Sequence, residues 1–193
     1  KRQVLIFFVA TFGMNFQVTN ALMSRQVFHT GATAFGVASA VFAAGALAGA
    51  LLAARRSRPG LRLLVTAAFT FGLLEVLSAL MPSFWLYLAM LVPTGLILLT
   101  LNTAANSTVQ LGSAPDMRGR VMGLYMLVFL GGAPLGAPMA GWVAEQFGPR
   151  MSLLAGGIIS AAAAAIIGLL VARRRGVGAW EVLRPAALAR MVA

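Results

Sequence analysis

An all-α membrane protein with six crossings is the fold class that this sequence predicts, and three observations predict it. The chain has 193 residues, 60% of them hydrophobic and only 10% charged, with a mean hydropathy of +0.90. A water-soluble domain of this length needs far more charge to cover its surface. The apolar residues gather into runs near the ~20 residues that a helix needs to cross a bilayer. The positive charge falls in short clusters between those runs, as membrane-flanking charge does.

The first run, 4–23, carries Thr11, Asn15 and Thr19 at a spacing of four, with Gln17, Asn20 and Ser24 on a second face, and breaks at Phe28-His29-Thr30-Gly31. The second, 33–54, holds Gly45 and Gly49 and ends in Arg55-Arg56-Ser57-Arg58-Pro59-Gly60. The third, 61–81, contains Glu75 and stops at Met81-Pro82-Ser83. The fourth, 84–108, carries the amide stripe Asn102, Asn106 and Gln110, with Thr103 and Ser107 beside it, and gives way to Gly112-Ser113-Ala114-Pro115-Asp116. The fifth, 120–143, includes Pro134 and Pro138 and ends at Phe147-Gly148-Pro149-Arg150; the sixth is 150–172. Pro and Gly punctuate the boundaries, as breakers do. Residues 1–175 form one transmembrane unit on this reading, and 176–193 a cytoplasmic tail with Trp180 between arginines. That tail is either an interfacial segment on anionic lipid or a disordered end.

Six crossings put both termini on one side. Lys1, Arg2, Arg55, Arg56, Arg58, Arg62, Arg118, Arg120, Arg173, Arg174, Arg175, Arg184 and Arg190 lie on that side, and only Arg25 and Arg150 on the other. The positive-inside rule makes the rich side cytoplasmic, and the expected location is the cell (plasma or inner) membrane. The chain opens Lys1-Arg2-Gln3, and its first run is too long and too polar for a signal peptide, so the expectation is a piece of a longer protein.

Small residues four apart, Gly45 and Gly49, and Ala133, Ala137 and Gly141, are spaced for close helix contact. Two prolines in the fifth run bend it, either as a packed structural kink or as a flexing element at a moving interface. Amides at this density face protein or a watery cavity rather than lipid. They therefore either join helices or line a cavity, and Asn15, Thr19, Asn102 and Asn106 are the candidate cavity residues. Glu75 is the acid clearly inside a span, a candidate proton site or else a paired structural group. Asp116 is placed to cap the fifth helix or to pair with Arg118 or Arg120. Glu145 and Arg150 are placed to pair across the last loop, and His29 to be solvated.

A net charge of +11 does not point to nucleic acid here, because the basic residues flank spans. Cysteine is absent and the lone His29 sits in a loop. No spacing of ligands for a metal, no serine–histidine pair and no phosphate-binding glycine loop is present, so neither an enzyme nor a cofactor is expected.

The stretch Pro115-Asp116-Met117-Arg118-Gly119-Arg120-Val121-Met122-Gly123-Leu124-Tyr125 resembles the basic cytoplasmic loop before the eleventh helix of major facilitator superfamily transporters. The likeness is strongest to drug and siderophore exporters related to the enterobactin exporter and macrolide-efflux proteins. Pro134-Leu135-Gly136-Ala137 and Gly141-Trp142-Val143-Ala144-Glu145-Gln146-Phe147-Gly148-Pro149-Arg150 continue it, and Gly45-Ala46-Leu47-Ala48-Gly49 with Arg55-Arg56-Ser57-Arg58 resembles the weaker copy of the family's basic loop. The acid often found in that loop is missing here. The resemblance implies the C-terminal six-helix lobe of a twelve-helix transporter, built from inverted three-helix repeats, with an N-terminal six-helix lobe of the same chain as its partner. It implies a cavity lined by the first and fourth helices, which carry the amides. Asp116, Arg118, Arg120, Arg55 and Arg58 become cytoplasmic gate or loop residues. It further implies a proton-coupled exporter of small amphiphilic molecules working by alternating access. The family's ninth helix is peripheral, which sets Glu75 away from the substrate. The alternatives are a non-transporting membrane scaffold or receptor on the same fold, and a homodimeric six-helix transporter.

Overall fold

The computed structural model describes residues 16–54, 60–113 and 116–174, and all the regular structure among them is helical. The expectations for Asn15, Arg55 and Arg58, and for the tail from 176, lie outside the described residues.

Helix α1 is described over Phe16–Leu22 and runs directly into a π-helical turn, Met23–Val27. The Ser24 carbonyl ends it by accepting both the Thr30 amide at 3.0 Å and the Thr30 hydroxyl at 2.7 Å. His29, exposed as expected, turns the chain at a φ of 50°. Helix α2 is Ala32–Ala54, α3 is Leu61–Ala79, α4 is Phe84–Leu111, α5 is Arg118–Phe147 and α6 is Pro149–Arg174. Ser83 caps α4, accepting from the Leu86 amide at 3.4 Å, which leaves one fewer orphan donor at that terminus. Gly148, at a φ of 90°, separates α5 from α6, and Pro149 begins α6 where its missing N–H costs nothing.

Four described helices are long and apolar enough to cross a membrane: α2, α3 from Arg62, α4, and α6 to Val171. Helix α5 has 30 residues with Pro134 and Pro138 inside it. Large apolar side chains face outward along them, such as Leu47, Leu51, Ile158 and Ile166, each more than half exposed. Outward-facing side chains of this kind suit lipid and not water.

Helix α2 packs most extensively along α4, and α3 along α6; α3 with α4 and α5 with α6 make intermediate contacts, and the described part of α1 makes a smaller one with α5. Glycine makes the first two approaches possible. A Cβ on Gly45 would collide with the Val92 carbonyl, one on Gly49 with the Leu96 carbonyl, and one on Gly95 with the Phe42 carbonyl. Between α3 and α6, a Cβ on Gly72 would meet the Gly157 carbonyl at 2.6 Å, and one on Gly157 would meet the Gly72 carbonyl at 2.7 Å. Lipid offers no hydrophobic drive between helices, so dispersion across such close backbones is what holds them. The small residues of α5 do not work the same way at Gly141, where an added Cβ would meet open space.

Two cores follow. One, at the arginine-bearing end, joins Leu64, Ala68 and Phe71 to Leu101, Ala105, Tyr125 and Ala164. The other, toward the connections at 28–31 and 80–83, joins Phe16 and Met23 to Tyr87, Leu91 and Leu153. Phe28 packs there against Phe84 and Tyr87, with ring centroids 5.6 and 5.4 Å apart. This second end is the aromatic end of the bundle.

Candidate functional site around Glu75

Three residues beyond Gly72, Glu75 occupies the same face of α3, and that face is pressed against α6. A Cβ on Gly157 would come within 2.9 Å of the Glu75 Cβ. The bare backbone of α6 at this level therefore gives the acid its room. Glu75 is 1% exposed and lines a cavity of about 100 Å³ with Thr19 of α1, Met139, Ala140 and Val143 of α5, and Ser152, Leu153, Ala155, Gly156 and Ile159 of α6. One water needs about 10–15 Å³ of such space, so the cavity has room for several. The Glu75 Oε2 has no hydrogen-bond partner among the described residues. The Ser152 hydroxyl donates to the Ala140 carbonyl at 2.8 Å and so ties the two helices that form most of the wall.

Beside the cavity, the Tyr87 hydroxyl donates to the Asn20 Oδ1 at 2.8 Å. Tyr87 is fully buried and Asn20 nearly so, and a buried bond of this kind is costly to break from one side. It joins α4 to α1. The Arg150 guanidinium donates to the Met81 carbonyl at 3.1 Å, binding the start of α6 to the end of α3. That corrects the expected Arg150–Glu145 pair: Glu145 is exposed, while the guanidinium is taken up by the Met81 carbonyl, just past the end of α3.

The sequence candidates separate. Thr19 joins Glu75 at the cavity. Asn102 and Asn106 are half-buried on α4 and do not line it; the Asn106 Oδ1 accepts from the Gln110 amide at 2.7 Å, within the same helix. Asp116, Arg118 and Arg120 are exposed at the arginine end. Asp116 is not the cap of α5. Met117 holds that position in a helical conformation with no side-chain hydrogen bond, whereas side-chain capping goes with extended backbone. Sequence reasoning missed Ser152 and the Asn20–Tyr87 bond. Buried Gly72 and the Gly156-Gly157 pair were the signals for the α3–α6 approach, but small residues are too common in these helices to single them out.

No three of His, Cys, Asp or Glu among the described residues are grouped to hold a metal ion. The arrangement is instead an acid at membrane depth, with hydroxyls beside it and an apolar surround. Ionisable groups so placed are expensive, and they mark ion or proton pathways by default.

No curated protein and no solved structure matches the chain. A family described as transmembrane secretion effector, of the major facilitator type, matches residues 2–187. The match covers nearly the whole chain, including α1 to α6, and the chain belongs to this family of membrane transport proteins.

Proposed function

We propose that the chain is one six-helix lobe of a secondary active transporter that exports small amphiphilic molecules, driven by a proton gradient and working by alternating access. The observation that carries this reading is the pairing of helices. Exchanging α1 with α4, α2 with α5 and α3 with α6 maps the extensive α2–α4 contact onto a much smaller α5–α1 contact and the α3–α6 contact onto itself, while the α5–α6 contact has no comparable α2–α3 counterpart among the described residues. This partial correspondence supports two inverted three-helix repeats, and such lobes rock against a second lobe around a central path. Export, proton coupling and small amphiphilic substrates come from the resemblance to drug and siderophore exporters. No covalent chemistry is assigned to the chain. The arginine end faces the cytoplasm, with both ends of this segment on that side, by the positive-inside rule. Asn102 and Asn106 line the path between lobes, with Asp116, Arg118 and Arg120 at its cytoplasmic mouth.

The bond between Asn106 and Gln110 favours a second reading, a non-transporting scaffold in which amides satisfy one another. Efflux from vesicles containing the full protein separates the two. Gradient-driven efflux that falls on Asn106→Leu at normal expression supports the transporter; unchanged efflux removes Asn106 from the path, and no efflux from the unaltered protein supports the scaffold.

A further inference from the structure

We infer that the cavity around Glu75 is a proton-holding site inside this lobe, gated by the segment of α5 that follows its two prolines. This rests on the exporter reading and deepens it, because it separates the place where the proton is held from the path between lobes.

The acid is buried, its Oε2 is unpartnered, and the space before it is large enough for water. Ser78, one turn nearer the aromatic end on the same face of α3, also has a buried hydroxyl without a partner among the described residues. Among the described residues, the cavity lining brings no positive charge to the acid. Helix α1 contributes Thr19, α5 contributes Met139, Ala140 and Val143, and α6 contributes Ser152 among apolar neighbours. From α4 the titratable group within electrostatic reach is Tyr87, whose hydroxyl is committed to Asn20. Arg150, the cation at the start of α6, is held by the Met81 carbonyl.

This lining selects the occupant. A sodium ion needs several oxygen ligands, and here one carboxylate and two hydroxyls stand among seven apolar residues or glycine. A proton needs only the carboxylate. In the step, hydronium in the cavity gives its proton to the Glu75 carboxylate, an O–H bond forms, and water is left; the reverse step returns the proton to water. Burying a charge without a partner is costly, whereas a neutral acid is tolerated.

The wall provides the gate. Met139, Ala140 and Val143 all follow Pro138, and Pro134 and Pro138 leave the carbonyls of Leu130 and Pro134 without helical donors. A segment hinged there carries one whole side of the cavity, and Ser152 links it to α6 through Ala140.

Infrared spectroscopy of the full protein in vesicles, titrated with acid, reads the site without needing a substrate. The expected result is a protonated-carboxyl band that grows as pH falls, shifts in heavy water, is lost in Glu75→Gln and moves rather than vanishes in Glu75→Asp. It should not respond when potassium is replaced by sodium. A band erased by sodium, or none assignable to Glu75, overturns the proton site. Replacing both Pro134 and Pro138 with Ala should slow the heavy-water shift severalfold, and an unchanged rate overturns the gate. Gradient-driven efflux from the same vesicles is scored separately. Efflux with no Glu75 band removes this site and keeps the exporter; the band with no efflux removes the exporter and keeps the site.

Discussion

The amides of α4 and the acid of α3 meet the same difficulty, polar groups at membrane depth, in opposite ways. Asn106 is answered from one turn along its own helix by Gln110 at 2.7 Å, and the stripe stays half-exposed. Glu75 has no such neighbour, for Leu73, Leu74, Val76 and Leu77 surround it in sequence. Its environment comes from α1, α5 and α6. A polar stripe can therefore satisfy itself and remain at a surface, while a lone acid depends on the tertiary fold. The dense polar pattern is the more visible in sequence; the isolated one is the more deeply built in.

The contrast can be broken most violently at Gly157. Gly157→Val places branched carbon against the Gly72 carbonyl and the Glu75 side chain. Overpacking of this kind costs about 1–3 kcal/mol, more where backbone must move. The melting temperature of the purified protein should fall further than for any change on the α4 stripe. Next in size is Tyr87→Phe, which strands the buried Asn20 carbonyl oxygen and should cost about 1–3 kcal/mol, read in the same melt. Ser152→Ala removes one hydroxyl bond and should cost about 0.5–1.5 kcal/mol. Gln110→Ala sharpens the comparison at its weak end. It breaks an exposed pair within one helix, worth about 0.2–0.5 kcal/mol, so the melt should barely move. A drop as large as that of Tyr87→Phe would show that the α4 amides are as tightly built in as the buried Asn20–Tyr87 bond.

Much of the fold was legible because its signals are local. Helices α2 to α6 begin and end within a few residues of the predicted runs, since Gly, Pro and arginine clusters mark each break. The close approach through Gly45 and Gly49 was legible from their spacing, and their partners on α4 were not, because spacing names one side of a contact only. The site was less readable. Thr19 was singled out for lying on a polar face, yet its companion is Glu75 rather than Asn102 or Asn106. That pairing depends on α3 meeting α6 at Gly72 and Gly157, two positions 85 residues apart in the chain. Asp116 illustrates a local rule that failed: the chain enters α5 through a turn already helical at Met117, leaving no extended residue for a side-chain cap.

The partnering of α2 with α4 and of α3 with α6 also governs biosynthesis. Neither glycine-lined face has its mate next to it in the chain. As the helices enter the membrane in order, Gly45 and Gly49 wait beside lipid until α4 arrives, and Gly72 waits until α6 does. Helices that insert singly and associate afterwards tolerate such a delay. A ribosome stalled between α4 and α6 would thus leave α2 docked and α3 held by α4 alone, with its glycine face still bare.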